Sequence, residues 1–442
     1  MRITAMAIFF SFIFSLAAEP VKTAEDLIKA VNNGAPGDKI ELAEGTFELK
    51  APLMPKANME IKGAGIGKTV IKPADSWKAG TAGLPNKDNP KAYLFSFEKA
   101  DGLKMSGMSM SAATLHGAVW GRASEGVELF DLHIENCLWS GIRTYNMKHF
   151  KVHDCSFHNA GGTVKFRGGA IYVHWTKNSE FWNNRISGSE DHPKFFGIKG
   201  RGITDSRVHH NTILVNFSIE FPFENDKNVE IDHNYLAGAV SLPKFGGGIK
   251  IEEGQRSFRV HHNYINKSYA VELARNAMEV DHNLFVFSTE DDKGNLLCNF
   301  GDAKVPGPLL FHNNLVLNPG RGVLWTKGPH ANISIYNNHI KANTLSRKDG
   351  FFGFHSKTDF SSIVIKDNII ECIDSNPRPL MRNEESYSAN IENNQLINVP
   401  DANKSKVLDS ERKAGLVEPL NFKCGVNGEY TVDQWTVDKT QK

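Results

Sequence analysis

The sequence has few cysteines and almost no net charge, and each shortage excludes a class of protein. It has five cysteines in 442 residues, an odd number without CxxC spacing, so neither a zinc site nor a disulfide framework is indicated and we expect buried thiols. The formal net charge is +1, so no global field attracts nucleic acid or an anionic polymer. Any anion site must therefore be local.

Long apolar segments are also missing, apart from one at the N-terminus. Residues 1–18 contain Arg2, an apolar run from Ile3 to Leu16 and two small residues, which is typical of a secretory signal peptide. The run is too short for a comfortable membrane span. We therefore expect a periplasmic or secreted monomer that contacts neither membrane nor nucleic acid.

Helix-like stretches are short, and a strand-like phrase is repeated instead. The phrase is an apolar residue, polar residues that usually include Asn, one variable residue and another apolar residue. Seven clear copies centre on Asn211, Asn234, Asn263, Asn283, Asn314, Asn338 and Asn368, and three weaker ones on Cys155, Asn184 and Asn394. From Cys155 to Asn394 there are nine steps over 239 residues, so one repeat is roughly 26 residues, as in stacked solenoid units.

The repeated phrase predicts a fold. Its alternation over about six positions is the period of a half-buried strand, and stacked coils of such strands bury a continuous apolar column. An inward Asn at each bend can bond to its own turn and to the Asn of the next coil. The sequence therefore predicts an all-β right-handed parallel β-helix of about 12 coils, with one buried ladder that includes Asn211, Asn234, Asn263 and Asn283.

The ends of the chain differ from the repeats. A helix from Thr23 to Asn33, capped by Thr23, is expected to cover the N-terminal end of the stack. We predict a signal peptide at 1–18, a cap with the first strands at 19–57, the β-helix catalytic domain at 58–400, and a C-terminal cap or tail at 401–442.

A second strand is predicted about twelve residues before each phrase, and its outward positions carry the candidate site. The first outward column is Arg143, Tyr172, Lys199, Glu220, Lys250 and Glu272, and the second is Tyr145, His174, Arg201, Pro222, Glu252 and Ala274, with Glu224 one step further. Tyr172 and Lys199 each lie twelve residues before their Asn, so they are expected to be neighbours on adjacent coils about 4.8 Å apart. Gly168, Gly169, Gly200 and Gly202 are expected to keep the floor beside them open.

This mixture of side chains suits β-elimination from a polyuronate. The reaction needs a base for the C5 proton, an acid for the leaving O4 and positive charge beside the carboxylate. Tyr172 or Lys199 can act as base, and Tyr172 or His174 as acid. Arg201 or Arg143 can hold the carboxylate. Like charge from the two arginines should lower the pKa of Lys199.

The N-terminal helix, the Asn-containing coils and the Tyr172 and Lys199 pair together resemble the β-helix polysaccharide lyases, especially the alginate lyases of families six and thirty-one. The resemblance implies an acidic polysaccharide as substrate, with alginate as the leading candidate. Family thirty-one implies Tyr172 and Lys199 as the catalytic pair. Family six implies Lys250 and Arg275 beside calcium, and the candidate calcium ligands would be Glu220, Glu224 and Glu252. The spacing departs from that pattern, so we expect no cofactor and keep calcium as the alternative.

The substrate-binding residues implied by this reading are Arg143, Tyr145, Glu220, Glu224, Lys250, Glu252 and Arg275. Two other functions stay open. Glu220 and Glu252 on neighbouring coils would suit an inverting glycoside hydrolase of an acidic glycan, and a non-catalytic carbohydrate-binding β-helix is the third possibility. We interpret Asp232, Asp281 and the histidines beside the Asn phrase as structural residues of the turns rather than metal ligands.

Overall fold

The computed structural model describes most of the chain between its two ends. The described residues are 19–77, 89–162, 168–189, 195–221, 226–241, 258–266, 270–272, 278–286, 295–299, 308–319, 322–326, 331–342, 350–354, 357–373, 378–381 and 388–399. The expected signal peptide and the expected C-terminal tail lie outside them.

One α-helix and 37 strands are found in these ranges. The helix is α1 (Ala24–Asn33), and short 3-10 turns cover Pro90–Ala92 and Phe360–Ser362. The first strands are β1 (Lys39–Glu41), β2 (Gly45–Leu49), β3 (Glu60–Lys62), β4 (Thr69–Pro73), β5 (Tyr93–Glu98), β6 (Lys104–Ser111), β7 (Gly117–Arg122), β8 (Glu128–Glu135), β9 (Ser140–Tyr145), β10 (Lys151–His153), β11 (Ser156–His158), β12 (Gly169–His174), β13 (Glu180–Trp182), β14 (Arg185–Ser187), β15 (Phe196–Arg201), β16 (Thr204–His209), β17 (Thr212–Leu214) and β18 (Phe217–Glu220). The remainder are β19 (Lys227–Asp232), β20 (Tyr235–Leu236), β21 (Ala239–Ser241), β22 (Phe258–His261), β23 (Tyr264–Asn266), β24 (Ala270–Glu272), β25 (Met278–Asp281), β26 (Leu284–Val286), β27 (Asn295–Asn299), β28 (Leu309–His312), β29 (Leu315–Leu317), β30 (Leu324–Thr326), β31 (Ile333–Tyr336), β32 (His339–Ala342), β33 (Phe352–Gly353), β34 (Ile363–Lys366), β35 (Ile369–Cys372), β36 (Asn390–Glu392) and β37 (Gln395–Ile397).

These strands form two parallel arrays. Eleven of them make the array that we call the site sheet, in the order β5, β7, β9, β12, β15, β18, β21, β24, β27, β30 and β33. The other 26 make the ladder sheet, to which a typical coil contributes two short strands separated by a bend. Each strand pairs with its counterpart on the next coil, as β12 does with β9 and β15. The fold is the predicted right-handed parallel β-helix.

The core is a column of aliphatic and aromatic side chains inside the coils. On the site sheet, Ile142, Ile171, Ile198 and Ile219 are fully buried and in direct register on successive strands. Alternation then turns their neighbours along each strand to the outer face. The register of the core therefore fixes the register of the site.

The N-terminal helix has the predicted bounds to within one residue. Thr23 is its N-cap and accepts a hydrogen bond from the Asp26 amide at 3.1 Å. Leu27 and Val31 are buried and belong to the apolar core. In the described part of the chain, no helix has the length and apolar character needed to span a bilayer.

The predicted asparagine ladder is confirmed and is longer than four residues. It includes Asn184, Asn211, Asn234, Asn263, Asn283, Asn314, Asn338, Asn368 and Asn394, all buried. In each step, the amide oxygen of one Asn accepts from the backbone N–H and the side-chain amide of the Asn one coil before it. For Asn211 and Asn234 these distances are 3.0 and 2.9 Å. Each ladder Asn also donates to a backbone carbonyl, as Asn234 does to Val208 at 2.9 Å.

Cys155 occupies the same place one coil before Asn184. Its backbone N–H donates to the Asn184 amide oxygen at 3.2 Å, and its thiol donates to the Leu129 and His153 carbonyls. Burial raises the pKa of this thiol to about 12. The buried cysteines described here, Cys137, Cys155 and Cys372, are free thiols, as predicted.

Histidines and carboxylates surround the bends on the outer face of the ladder sheet. Asp232 is buried and receives two bonds from Arg207 at 2.8 and 2.7 Å and a third from His233 at 2.7 Å. Arg259 and His282 bind Asp281 in the same way. The imidazoles of His210, His233, His262 and His282 form a stack with 4.9 to 5.0 Å between successive centroids. The interpretation of these residues as structural agrees with this geometry.

Candidate functional site

The outer face of the site sheet brings together the residues predicted as catalytic. Tyr172 on β12 is in register with Arg143 on β9 and with Lys199 on β15. Lys199 is in register with Glu220 on β18. The predicted adjacency of Tyr172 and Lys199 is therefore confirmed, and the two side chains lie on neighbouring parallel strands.

This column points away from the core, yet solvent scarcely reaches it. Arg143, Tyr172 and Lys199 are 6%, 9% and 6% exposed. The expectation that the column faces solvent is wrong at these three positions. Aromatic rings contact these side chains, so they form a dehydrated polar patch on the outside of the sheet.

Arg143 is held by aromatic side chains. Its guanidinium carbon lies 4.2 Å from the centroid of the Trp139 ring and 4.5 Å from that of Tyr172. Its Nε donates to the Tyr145 hydroxyl at 2.8 Å. Cation–π contacts of this kind are stronger when the cation is desolvated. Arg143 is therefore a fixed positive charge directly beside the Tyr172 phenol.

Lys199 forms an ion pair with Glu220 at 2.5 Å and also lies over an aromatic ring. Its ammonium is 3.9 Å from the centroid of Phe196 and 5.4 Å from that of Tyr172. Burial lowers the pKa of Lys199, Glu220 opposes this, and Arg143 adds to the lowering. The predicted direction is correct, but the main cause is desolvation rather than two like charges.

The pKa values of Tyr172 and His174 are shifted in opposite directions. Burial raises the pKa of Tyr172, and the charges of Arg143 and Arg201 partly offset this. Burial and three nearby cations lower the pKa of His174 to about 3. At neutral pH Tyr172 is therefore a phenol and His174 an uncharged imidazole. Within the described residues, the Nε2 atom of His174 has no hydrogen-bond partner.

The second outward column lies beside the first. Tyr145, His174 and Arg201 are in register on β9, β12 and β15, as predicted. The His174 ring stacks on Tyr145 at 4.5 Å between centroids and lies 4.3 Å from Tyr172. Arg201 is exposed, and its guanidinium lies 5.7 Å from the Trp175 ring. The site thus has one enclosed arginine, Arg143, and one arginine open to solvent, Arg201.

The predicted column fails beyond Glu220. The residue in register with Glu220 is Ser241 on β21, and Glu272 follows Ser241. Lys250 was expected between Glu220 and Glu272, so that alignment is wrong. It counted about twelve residues back from Asn263, whereas β21 lies 22 residues before it. Four predicted site residues lie outside the described residues: Glu224, Lys250, Glu252 and Arg275.

The glycines near the patch do not leave an open floor. A Cβ at Gly168 would lie 1.7 Å from the Trp139 carbonyl oxygen, and one at Gly200 would lie 2.6 Å from the Phe221 ring. At Gly202 a Cβ would lie 2.4 Å from the Trp175 ring. The expectation of an open floor is wrong, because these positions are glycine to allow close packing.

Three aromatic residues of the site were missed by sequence reasoning. Trp139 and Phe196 contact Arg143 and Lys199, and Trp175 follows β12 directly. Trp139 lies before the aligned positions of β9, so the alternation pattern gave no signal for it. Trp175 does have a signal, because aligned coils place it opposite Asn146 and Gly202.

Possible metal ligands come together on the ladder sheet. The two groups are Glu230, Asp232 and His261, and Glu279, Asp281 and His312. Asp232 and Asp281 each already bind an arginine through both carboxylate oxygens. A cation would have to displace that arginine, so these groups fit structural ion pairs better than a metal.

Comparison with known proteins agrees with this architecture. Residues 116–285 match the family described as right handed beta helix region. Searching curated proteins gave no significant sequence match.

Solved structures with the same architecture come from different kinds of protein. PfbA, a surface adhesin of Streptococcus pneumoniae, is similar at 13% identity and a TM-score of 0.56, over 75% of this chain and 91% of its own. The tailspike protein of E. coli bacteriophage HK620, solved with a pentasaccharide, has 11% identity and a TM-score of 0.52, over 85% of this chain and 74% of its own. An alginate lyase from Paenibacillus sp. str. FPU-7 has 15% identity over 77% of this chain and 98% of its own, but at a TM-score of 0.40 it supports no argument. The likenesses to PfbA and to the tailspike protein identify the fold alone, a right-handed parallel β-helix.

Proposed function

We propose that this protein is a secreted polysaccharide lyase that cleaves a uronate-containing polymer by β-elimination. Alginate is the leading candidate substrate. The observation that carries the proposal is the buried contact of Arg143, Tyr172 and Lys199 on three adjacent strands. The patch offers an amine, a phenol and a fixed guanidinium. Elimination beside a carboxylate requires a base, an acid and a positive charge, and these three groups can supply them.

Lys199 is the proposed base. Its lowered pKa favours the free amine, which can accept the C5 proton of the uronate. The C4–O4 bond of that same uronate then breaks, O4 leaves with the preceding sugar, and a C4–C5 double bond forms in the uronate, which becomes the new non-reducing end. Glu220, whose carboxylate oxygen lies 2.5 Å from the lysine Nζ, holds that nitrogen in position.

Tyr172 is the proposed acid. Its raised pKa keeps the phenol protonated, so it can donate its proton to the leaving O4 oxygen. His174, with a pKa of about 3, cannot be a preformed imidazolium donor at neutral pH. We assign it to substrate contact beside Tyr172.

Arg143 and Arg201 are the proposed partners of the substrate carboxylate. Removing the C5 proton leaves negative charge delocalised onto that carboxylate, so a fixed cation stabilises the transition state more than the ground state. In this proposal arginines supply the neutralising charge and no metal is required. Activity that survives exhaustive treatment with a chelator would agree with it.

The decisive experiment is to incubate the purified protein with alginate, pectate and hyaluronate while the ultraviolet absorbance of an unsaturated uronate is followed. Elimination produces that double bond, whereas hydrolysis yields reducing ends without it. Unsaturated product from at least one polymer is the expected result. Reducing ends without the absorbance would favour the hydrolase, and binding without any product would favour a carbohydrate-binding module.

A further inference from the structure

Trp175 is a large aromatic residue that the fold leaves in solvent. Its side chain follows β12, directly after His174, and the residue is 44% exposed. Tryptophan is highly buried on average, so an exposed indole presents a large apolar surface to solvent. Trp175 contributes nothing to the apolar core of the coils.

The turn that carries Trp175 does not require a tryptophan. Successive coils place Ala123, Asn146, Trp175 and Gly202 at this turn, each with a positive φ of 51° to 70°. Asn and Gly adopt this conformation readily, whereas a bulky side chain is disfavoured there. Tryptophan is therefore a costly choice at this turn, and folding does not explain it.

The Trp175 indole packs against the backbone of the next coil. The Trp175 amide donates to the Arg201 carbonyl at 2.6 Å, and the indole lies against Gly202. A Cβ at Gly202 would come within 2.4 Å of the ring. Glycine in the next coil thus lets the indole pack on the backbone.

A cation lies beside this ring. The guanidinium of Arg201 is exposed and 5.7 Å from the indole centroid. The flat indole offers an apolar surface for a sugar ring, and the guanidinium can bind a carboxylate through two parallel bonds. The two groups lie next to His174, at the edge of the proposed catalytic patch.

We propose that Trp175 and Arg201 form a subsite for a single uronate residue of the polymer, next to the residue that is cleaved. The indole stacks on the pyranose ring and Arg201 binds its carboxylate. This inference rests on the proposed function for the class of ligand. It assigns to Trp175 the holding of substrate and no part in proton transfer.

The test compares two oligosaccharides that differ only at C6, which is a carboxylate in one and a neutral hydroxymethyl group in the other. β-1,4-linked tetramannuronate and β-1,4-mannotetraose share ring geometry, but only the first carries carboxylates. Calorimetric affinities are measured in the Tyr172→Phe background, so that turnover does not interfere. Trp175→Asn is the main variant, because Asn146 shows that Asn fits this turn. Trp182→Phe, on the ladder sheet, is the matched control.

Trp175→Asn should weaken tetramannuronate binding about tenfold, the equivalent of one aromatic stacking contact. It should weaken any mannotetraose binding by a similar factor. Arg201→Ala should weaken only tetramannuronate. In the otherwise wild-type enzyme, Trp175→Asn should raise KM with little change in kcat.

Unchanged tetramannuronate affinity in Trp175→Asn would overturn the subsite, as would no tetramannuronate binding by the parent protein. Trp175-dependent binding by a protein that cleaves no uronate polymer would support the subsite and overturn only the lyase.

Discussion

The two polar columns of this molecule, the asparagine ladder and the patch on the site sheet, differ in how completely they are satisfied. In the ladder, neutral amides bond to identical amides and to backbone carbonyls in every coil, as Asn211 does to Asn234. In the patch, Arg143, Tyr172 and Lys199 are charged or titratable groups with different neighbours in every coil. The ladder repeats one hydrogen-bonding arrangement from coil to coil, whereas the patch has a different set of contacts in each coil.

This difference between the ladder and the patch indicates that groups that stabilise the solenoid and groups suited to proton transfer lie on different sheets. A buried, satisfied amide network stabilises the stack and cannot change its proton count at ordinary pH. Desolvated charges cost stability, and they are typical of sites where proton transfer occurs. If the proposed function is correct, the same β-helix uses the ladder for stability and the outer face of the site sheet for catalysis.

The largest expected effect comes from removing the proposed proton-transfer groups. Tyr172→Phe and Lys199→Ala should each lower kcat by roughly 10²- to 10⁴-fold, the usual contribution of a positioned acid or base. The melting temperature should change little for Tyr172→Phe, which removes one oxygen. Steady-state kinetics on the best polyuronate measure the effect, with Tyr235→Phe on the ladder sheet as the control.

The two losses should not add, because the residues act in one step. A double variant about as slow as either single variant is expected. Turnover by Tyr172→Phe at the wild-type rate would contradict the assignment of Tyr172 as the acid. The patch would then no longer differ from the ladder in its effect on turnover.

The ladder should show the opposite behaviour. Asn234→Leu removes the acceptor of the Asn211 backbone N–H and the side-chain donor to the Asn263 amide oxygen, and an unsatisfied buried polar group costs about 1–3 kcal/mol. Urea unfolding should therefore show a lower free energy of unfolding, while kcat per folded molecule is unchanged. The control is Asn337→Gly, at a positive φ that glycine readily adopts. A ladder variant with full stability and lost turnover would contradict the separation.

The pH dependence of activity tests the proposed proton-transfer roles of Lys199 and Tyr172 in the patch. Glu220 raises the pKa of both Lys199 and Tyr172. If Lys199 acts as the free amine and Tyr172 as the phenol, activity rises through the first pKa and falls through the second. Glu220→Gln should move both limbs of the kcat/KM profile to lower pH. Glu180→Gln, on the ladder sheet, should leave the profile in place, and an unmoved profile in Glu220→Gln would argue against these roles.

The smallest expected effect concerns the histidine stack beside the ladder. Burial and then the charges of His233, His261 and His282 lower the pKa of His262 from 6.5 to about 4, with Asp281 opposing. Between these pH values the unfolded chain binds a proton that the folded protein does not. The free energy of unfolding should therefore fall as pH falls from about 6.5 to 4, and the His262 contribution is fully lost below that window.

His262→Asn should make this dependence shallower, because Asn313 already occupies the equivalent position beside His282. His149→Asn, at an exposed turn, should leave the dependence as it is. Urea unfolding at several pH values measures both. If the free energy of unfolding of His262→Asn depended on pH as steeply as that of the wild type, His262 would not be a source of the acid sensitivity.

The sequence predicted the fold and the register of the site because both follow from alternation. Asn211 and Asn234 repeat in a recognisable phrase, and counting back from Asn184 and Asn211 was enough to place Tyr172 beside Lys199. Where the distance between the second strand and the phrase changes, as between Ser241 and Asn263, the same counting failed.

Burial within the patch could not be predicted from the sequence. Alternation separates inward from outward positions, but it does not show that Trp139 and Phe196 contact the outward cations. The ion pair between Lys199 and Glu220 was missed for a related reason. Both residues were placed correctly in one column, but each was assigned to the substrate rather than to its neighbour.

The spacing of the ladder residues has a consequence for how this protein can change over evolution. Successive ladder positions from Cys155 to Asn394 are 29, 27, 23, 29, 20, 31, 24, 30 and 26 residues apart, yet in every step the backbone N–H of one position donates to the amide oxygen of the next Asn. The ladder registers each coil on the one before it, whatever the length of chain between them. Insertions and deletions can therefore accumulate in the connections without shifting the stack, so a lineage can remodel its binding face while it inherits an unchanged scaffold.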